Sequence, residues 1–95
     1  MKISGAQVTA ARNLLKITQA ELAEASGVSE RTVMRFEADE TAPQRAILDK
    51  ILTELDRRGI EFSNGSGIGV RLNFDKAAQY SRAVAVWVAM GRGKG

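Results

Sequence analysis

Two arginines spaced four residues apart, Arg31 and Arg35 in "SERTVMRFE", are the side chains with the clearest chemistry in this sequence. A guanidinium is a rigid fork of donors that fits a carboxylate, a phosphate or a guanine edge. At about 100° per residue the two arginines share a helix face with Met34, and Glu30 stands at its margin. Val33 and Phe36 point the opposite way. There is no histidine and no cysteine. This removes zinc sites of the Cys/His type, disulfide frameworks and histidine acid–base chemistry. The serines and threonines are used as helix caps, and no nucleophile-and-base pair can be built, so an enzyme is not expected. "EADE" lacks the spacing of a calcium loop. "GSGIG", residues 65–69, reads G-x-G-x-G and precedes a strand, so it fits a hairpin turn rather than a dinucleotide fingerprint. No metal and no cofactor are expected.

The elements that must position the arginines are legible around them. A first helix starts after Ser4 as N-cap and runs to about Leu15, with Val8, Ala11 and Leu15 as its apolar stripe. Arg12 lies close to that stripe. "TQAE" is a capping box that opens a second helix at Thr18, with Glu21 reaching back. Leu22, Ala23 and Ser26 face inward, and Gly27 ends this helix in a left-handed conformation. Ser29 caps a third helix over about 30–38, and Val28 and Val33 have the spacing of a hydrophobic staple. "ADETAP" is a loop. Thr41 or Ala42 caps a fourth helix with Pro43 in its first turn, and Ile47, Leu48, Ile51, Leu52 and Leu55 form its stripe. Arg57 and Arg58 suit the negative end of the helix dipole, and Gly59 suits the left-handed position after it.

Beyond Gly59 the period changes to two. "IEF" and "VRLNF" predict a β-hairpin with Ile60, Phe62, Val70, Leu72 and Phe74 on one face and Glu61 and Arg71 on the other. Residues 75–90 fit two readings. Tyr80, Val84, Trp87 and Val88 suit a helix, whereas the alternating valines suit a strand; the alanines, and Asp75 as a cap, favour the helix. "GRGKG" reads as a disordered tail. The expected architecture is mainly α: a four-helix helix-turn-helix unit over 1–58, then over 59–95 a small hairpin, a C-terminal apolar segment and the tail.

Charge is uneven. The net charge is +3, but residues 1–58 hold nine Lys/Arg against nine Asp/Glu, and residues 59–95 hold five against two. Bulk basicity is therefore a weak pointer to nucleic acid, and the argument rests on where individual charges face. The N-terminus has no long apolar run of the signal-peptide kind, and "AVAVWVAM", residues 83–90, is too short to span a bilayer. A cytoplasmic location and no membrane partner are expected.

Helix, glycine turn, helix is the geometry that frees one helix face to enter a DNA major groove. Residues 6–58 resemble the phage-repressor and Cro-type helix-turn-helix family, also called the XRE family, through Gln19, Ala23, Gly27, Val33, Phe36 and Glu37 in "TQAELAEASGVSERTVMRFE". The continuation "RRGIEFSNGSGIGVRLN" resembles short bacterial members that end in a hairpin. The resemblance implies base contacts from Glu30, Arg31, Met34 and Arg35. It implies DNA-backbone contacts from Gln19, Ser29, Thr32, Thr41, Gln44 and Arg45, and an Arg12–Glu37 ion pair joining the first helix to the third. Asp39 stands where many relatives carry glycine. Each reading has a plainer rival. Arg31 and Arg35 could be surface arginines bridging to Glu30 or Asp39, Arg12 could snorkel past the core, and Gln19 could be an ordinary first-turn residue.

The expected function is a sequence-specific double-stranded DNA-binding regulator, a repressor. A unit of zero net charge offers few phosphate contacts, so a homodimer is expected, joined through Tyr80, Val84, Trp87 and Val88, with the hairpin as alternative. The competing reading is a protein-interaction adaptor or antitoxin component that uses the same fold with a partner protein.

Overall fold

Left-handed residues close each of the first three helices. The computed structural model describes residues 3–40 and 44–90, without the side chain of Val88. Its elements are α1 (Gly5–Leu15), α2 (Gln19–Ser26), α3 (Glu30–Glu37), α4 (Arg45–Arg57), β1 (Ile60–Ser63), β2 (Gly69–Leu72) and α5 (Phe74–Ala89). Lys16, Gly27 and Asp39 take φ of 58°, 74° and 57°. At each, the next residue's N–H reaches back to the fifth carbonyl before it: Ile17 to Arg12, Val28 to Ala23 and Glu40 to Arg35. This Schellman closure satisfies carbonyls the helix end leaves unpaired and turns the chain sharply. Glycine takes that conformation at least cost, and Gly27 does so in the turn between α2 and α3.

The starts of α1, α2 and α3 are fixed by side chains. Thr18 and Glu21 form the expected capping box, Thr18 Oγ1 accepting from Glu21 N at 3.0 Å and Glu21 Oε1 from Thr18 N at 2.9 Å. Ser4 and Gln7 form a second box at the start of α1. Ser29 Oγ accepts from Thr32 N at 3.1 Å and caps α3. The fourth helix begins later than the sequence suggests. Gln44 has extended backbone and its carbonyl accepts from Ile47 and Leu48, so it is the N-cap, with no side-chain cap bond. Thr41, Ala42 and Pro43 lie outside the described residues, as does the tail, 91–95.

The core joins one stripe from each of the first four helices to the hairpin: Val8 and Ala11, Leu22 and Ala23, Val33 and Phe36, Ile51 and Leu55, with Ile3 and Ile60. Small Ala23 admits α3 close to α2. The hairpin is antiparallel, pairing Ile60 with Leu72, Glu61 with Arg71 and Phe62 with Val70. Glu61 and Arg71 bridge on its outer face at 2.6 Å.

Phe74 is not part of that face. It opens α5 and is 81% exposed. The strand ends at Leu72, and the next residue, Asn73, donates its N–H to Gly59 O at 2.7 Å while its Oδ1 accepts from Lys76 N at 3.1 Å. Asn73, not Asp75, therefore caps the last helix, and helical winding starts before the period-two pattern reaches Phe74. Of the two readings open for 75–90, the helix is the one formed.

Two polar hubs tie the hairpin and α5 to the helices. Gln7 is 2% exposed, and its Nε2 lies 3.3 Å from Ser63 O, 2.9 Å from Asn64 Oδ1 and 3.1 Å from Gly69 O. Glu54 is 5% exposed and takes Arg57 Nη2 at 2.7 Å and Arg58 Nε at 2.6 Å. Both guanidiniums then cover Tyr80 of α5, at 5.0 and 4.9 Å from its ring centre. So Arg57 and Arg58 serve a buried carboxylate and an aromatic ring, beyond any effect on the dipole. Replacing Gln7 with Ala removes the donor shared by Ser63 O of β1 and Gly69 O of β2. It should cost roughly 2 kcal/mol in denaturant unfolding and speed amide exchange in β1 and β2 ahead of α2 and α3.

Candidate nucleic-acid interface

The pairing of α1, α2 and α3 depends on Glu37, at the last turn of α3. Its side chain is 5% exposed and faces inward. Arg12 of α1 donates from Nε to Oε2 and from Nη2 to Oε1, each at 3.0 Å, a two-pronged pair with fixed geometry. Gln19 of α2 donates from Nε2 to Oε1 at 3.0 Å, and Thr9 Oγ1 lies 2.9 Å from the same oxygen. Arg12 Nη1 also donates to Ile17 O at 3.2 Å, in the turn before α2. Burial pushes the Glu37 carboxyl up, but the bonds from Arg12, Gln19 and Thr9 and the charge of Arg12 together hold it below its ordinary value. Arg12 is raised in turn, first through its bond to Glu37. An arginine beside an apolar stripe is thus explained by a partner, not by snorkelling.

The start of α1 docks on the end of α3 with little space. A Cβ on Gly5 would sit 2.4 Å from Phe36 O and 2.6 Å from Glu37 O. Asp39 Oδ1 accepts from Gly5 N at 3.2 Å. Aspartate at this left-handed position therefore has a compensation a glycine could not supply: its side chain fills an orphan donor at the N-terminus of α1. Asp39 is accordingly turned toward α1 rather than toward Arg31 or Arg35.

With the inner face of α3 fixed by Val33, Phe36 and Glu37, its outer face stands uncovered. Glu30, Arg31, Met34 and Arg35 line a shallow concavity with Glu40. Met34 is 50% exposed. Arg35 Nε lies 3.8 Å from Glu40 Oε2, a loose contact between exposed groups worth little in water. Arg31 has no ion pair among the described residues. The structure thus brings the four candidate base-contacting residues onto one open surface.

The candidate backbone-contacting residues are more dispersed. Gln19 is half-buried with one amide N–H committed to Glu37, which leaves its other N–H and its carbonyl oxygen uncommitted. Ser29 caps α3, with its Oγ also 2.7 Å from Thr32 Oγ1. Gln44 and Arg45 stand exposed at the start of α4, and Thr41 lies outside the described residues. Tyr80 is half-buried beneath its two arginines, whereas Val84 and Trp87 are exposed on the far half of α5. Among the described residues no three His, Cys, Asp or Glu side chains converge as a metal site, and no helix is long and apolar enough to cross a membrane.

Gln7, Glu54 and Asn73 were not singled out by pattern. A signal existed for two of them. Ser4 and Gln7 have capping-box spacing, and Glu54 precedes Arg57 and Arg58 by three and four residues.

A glycine-jointed pair of short helices, braced by a buried ion pair and presenting two arginines outward, defines a helix-turn-helix protein of the DNA-binding kind. A helix-turn-helix family model matches residues 8–62, more than half of the chain. The chain belongs to the phage-repressor and Cro-type helix-turn-helix family, a family of DNA-binding regulators that typically lack enzymatic activity. No curated protein matches it.

The Glu37 network sets a pH dependence. Its folded pKa lies below the unfolded value of about 4.3, so its stabilisation is complete above that value and is lost as pH falls through the folded one. Stability should fall with acid below about pH 4. Glu37→Ala should lower stability at neutral pH by roughly 3 kcal/mol, because Arg12 loses its counter-charge, and should flatten the acid decline. The remaining slope would come from Glu21 and Glu61, held low chiefly by bonds with Thr18 and Arg71. Urea unfolding followed by circular dichroism across pH checks both.

Proposed function

We propose that this protein is a sequence-specific double-stranded DNA-binding repressor that acts as a homodimer and places α3 in the major groove. The observation that supports this most is the uncovered outer face of α3, with both arginines free of any close ion pair while the inner face is locked by the core and Glu37. Arg31 and Arg35 would bond guanine edges, Glu30 would accept from a cytosine amine, and Met34 would touch a thymine methyl. Gln19, Ser29, Thr32, Thr41, Gln44 and Arg45 would hold the phosphate backbone on either side. The site of action would be the cytoplasm.

The dimer reading rests on α5. From Ala83 to Met90 every residue is apolar, and Trp87, Val86 and Met90 are 50%, 59% and 62% exposed. A helix apolar on all sides is stable when covered. We assign residues 1–58 to DNA and 59–95 to pairing, through Tyr80, Val84, Trp87 and Val88. Two copies would double the phosphate contacts of a neutral unit and match half-sites about one helical turn apart.

Two measurements test the proposal. Binding to duplex DNA flanking its own gene should weaken steeply as salt rises, through counterion release. Arg31→Ala or Arg35→Ala should each cost about 1–3 kcal/mol at the best site and relax preference at one position. An adaptor or antitoxin that kept the fold for protein contacts, the reading that the neutral residues 1–58 favour, would show no such salt dependence. Trp87→Asp should convert the dimer to a monomer in light scattering while leaving thermal unfolding cooperative; a wild-type monomer across micromolar concentrations would contradict the pairing.

A further inference from the structure

Among the described residues, two other than glycine adopt the left-handed conformation, Lys16 and Asp39. This backbone is unfavourable for an L side chain, and glycine would hold it at less cost. Asp39 has a use for its side chain inside the protein, since its carboxylate bonds Gly5 N. Lys16 has none. It is exposed, and its ammonium makes no hydrogen bond or ion pair among the described residues. What it does have is a position. Lys16 lines a second concavity with Asn13, Thr18, Gln19 and Glu30, and Glu30 is also a wall of the concavity on the outer face of α3. The two hollows are therefore neighbours on one surface.

We propose that Lys16 is a DNA-backbone contact: its ammonium, flanked by the exposed amide of Asn13, neutralises a phosphate beside the major groove that α3 enters. The inference rests on the DNA-binding function proposed above. Of the nearby carboxylates, Glu37 is saturated by Arg12, Gln19 and Thr9, and Glu21 is bonded to Thr18 N, leaving Glu30 as the one without a bonded donor among the described residues. A compact ammonium on a flexible stem suits a phosphate oxygen better than the planar edge of a base, so Lys16 supplies affinity and register rather than sequence preference.

The account makes stability and binding move in opposite directions at one residue. Lys16→Gly relieves the left-handed backbone, so the melting temperature of the full chain should rise by a few degrees. The same change should reduce the slope of log K against log salt by about 0.9 per protomer and weaken binding about eightfold per protomer near 0.1 M salt. The loss should be equal on the flanking-gene duplex and on an unrelated duplex. Lys16→Arg should keep the wild-type slope. An unchanged slope for Lys16→Gly, with the wild-type chain binding DNA, would overturn this inference alone. A wild-type chain that binds neither duplex at low salt would overturn the DNA reading and this inference with it.

Discussion

One buried carboxylate holds the helix-turn-helix half of this protein in shape. Glu37 receives Arg12 from α1, Gln19 from α2 and Thr9 from α1, and it sits on the inner side of α3. Taking a charge out of water is unfavourable unless every lone pair finds a donor. Here the donors come from two other helices, so the carboxylate is satisfied only when all three helices are in their native places. The contact therefore specifies orientation more than it adds stability. The same carboxylate fixes the azimuth of α3 and, with it, the direction in which Arg31 and Arg35 face.

The rest of the molecule follows from that constraint. The Schellman closures at Lys16, Gly27 and Asp39 keep the connections short enough for α1, α2 and α3 to share one carboxylate. Gly5 lets α1 approach the carbonyl end of α3, and Asp39 fastens the junction. Gln7 on the opposite flank of α1 anchors the hairpin, while Glu54 gathers Arg57 and Arg58 over Tyr80 and sets where α5 departs. The result is a unit with an open face at α3 that carries two arginines, and an apolar projection at the end of α5.

Much of this was readable in the residues. Ser4, Thr18, Ser29 and Gly27 mark helix ends by local chemistry that acts within a few residues, and the apolar stripes of the first four helices gave the core. The two faces of the hairpin, as far as Leu72, follow from strict alternation. Phe74 misled because it continues that alternation by one step, while the chain turns into α5 at Asn73, whose Oδ1 caps that helix through Lys76 N. The start of α4 misled because Thr41 or Ala42 as cap, with Pro43 in the first turn, fits local preference, whereas Gln44 takes the cap without any side-chain bond. For the candidate interface, composition and periodicity placed Arg31 and Arg35 outward. That Gln19 spends one N–H on Glu37, and that Asp39 turns toward Gly5, depend on packing between helices distant in sequence.

The central claim is that the outer face of α3 is the surface that meets DNA. Titrating the isotopically labelled chain with duplex DNA, and following backbone amides together with the arginine Nε–H signals, tests it most directly. The account predicts that the largest shifts fall on residues 30–35 and on the Nε–H of Arg31 and Arg35, while Arg12 Nε–H, held by Glu37, stays in place. Shifts confined to α5, with both α3 arginines unmoved, would contradict it.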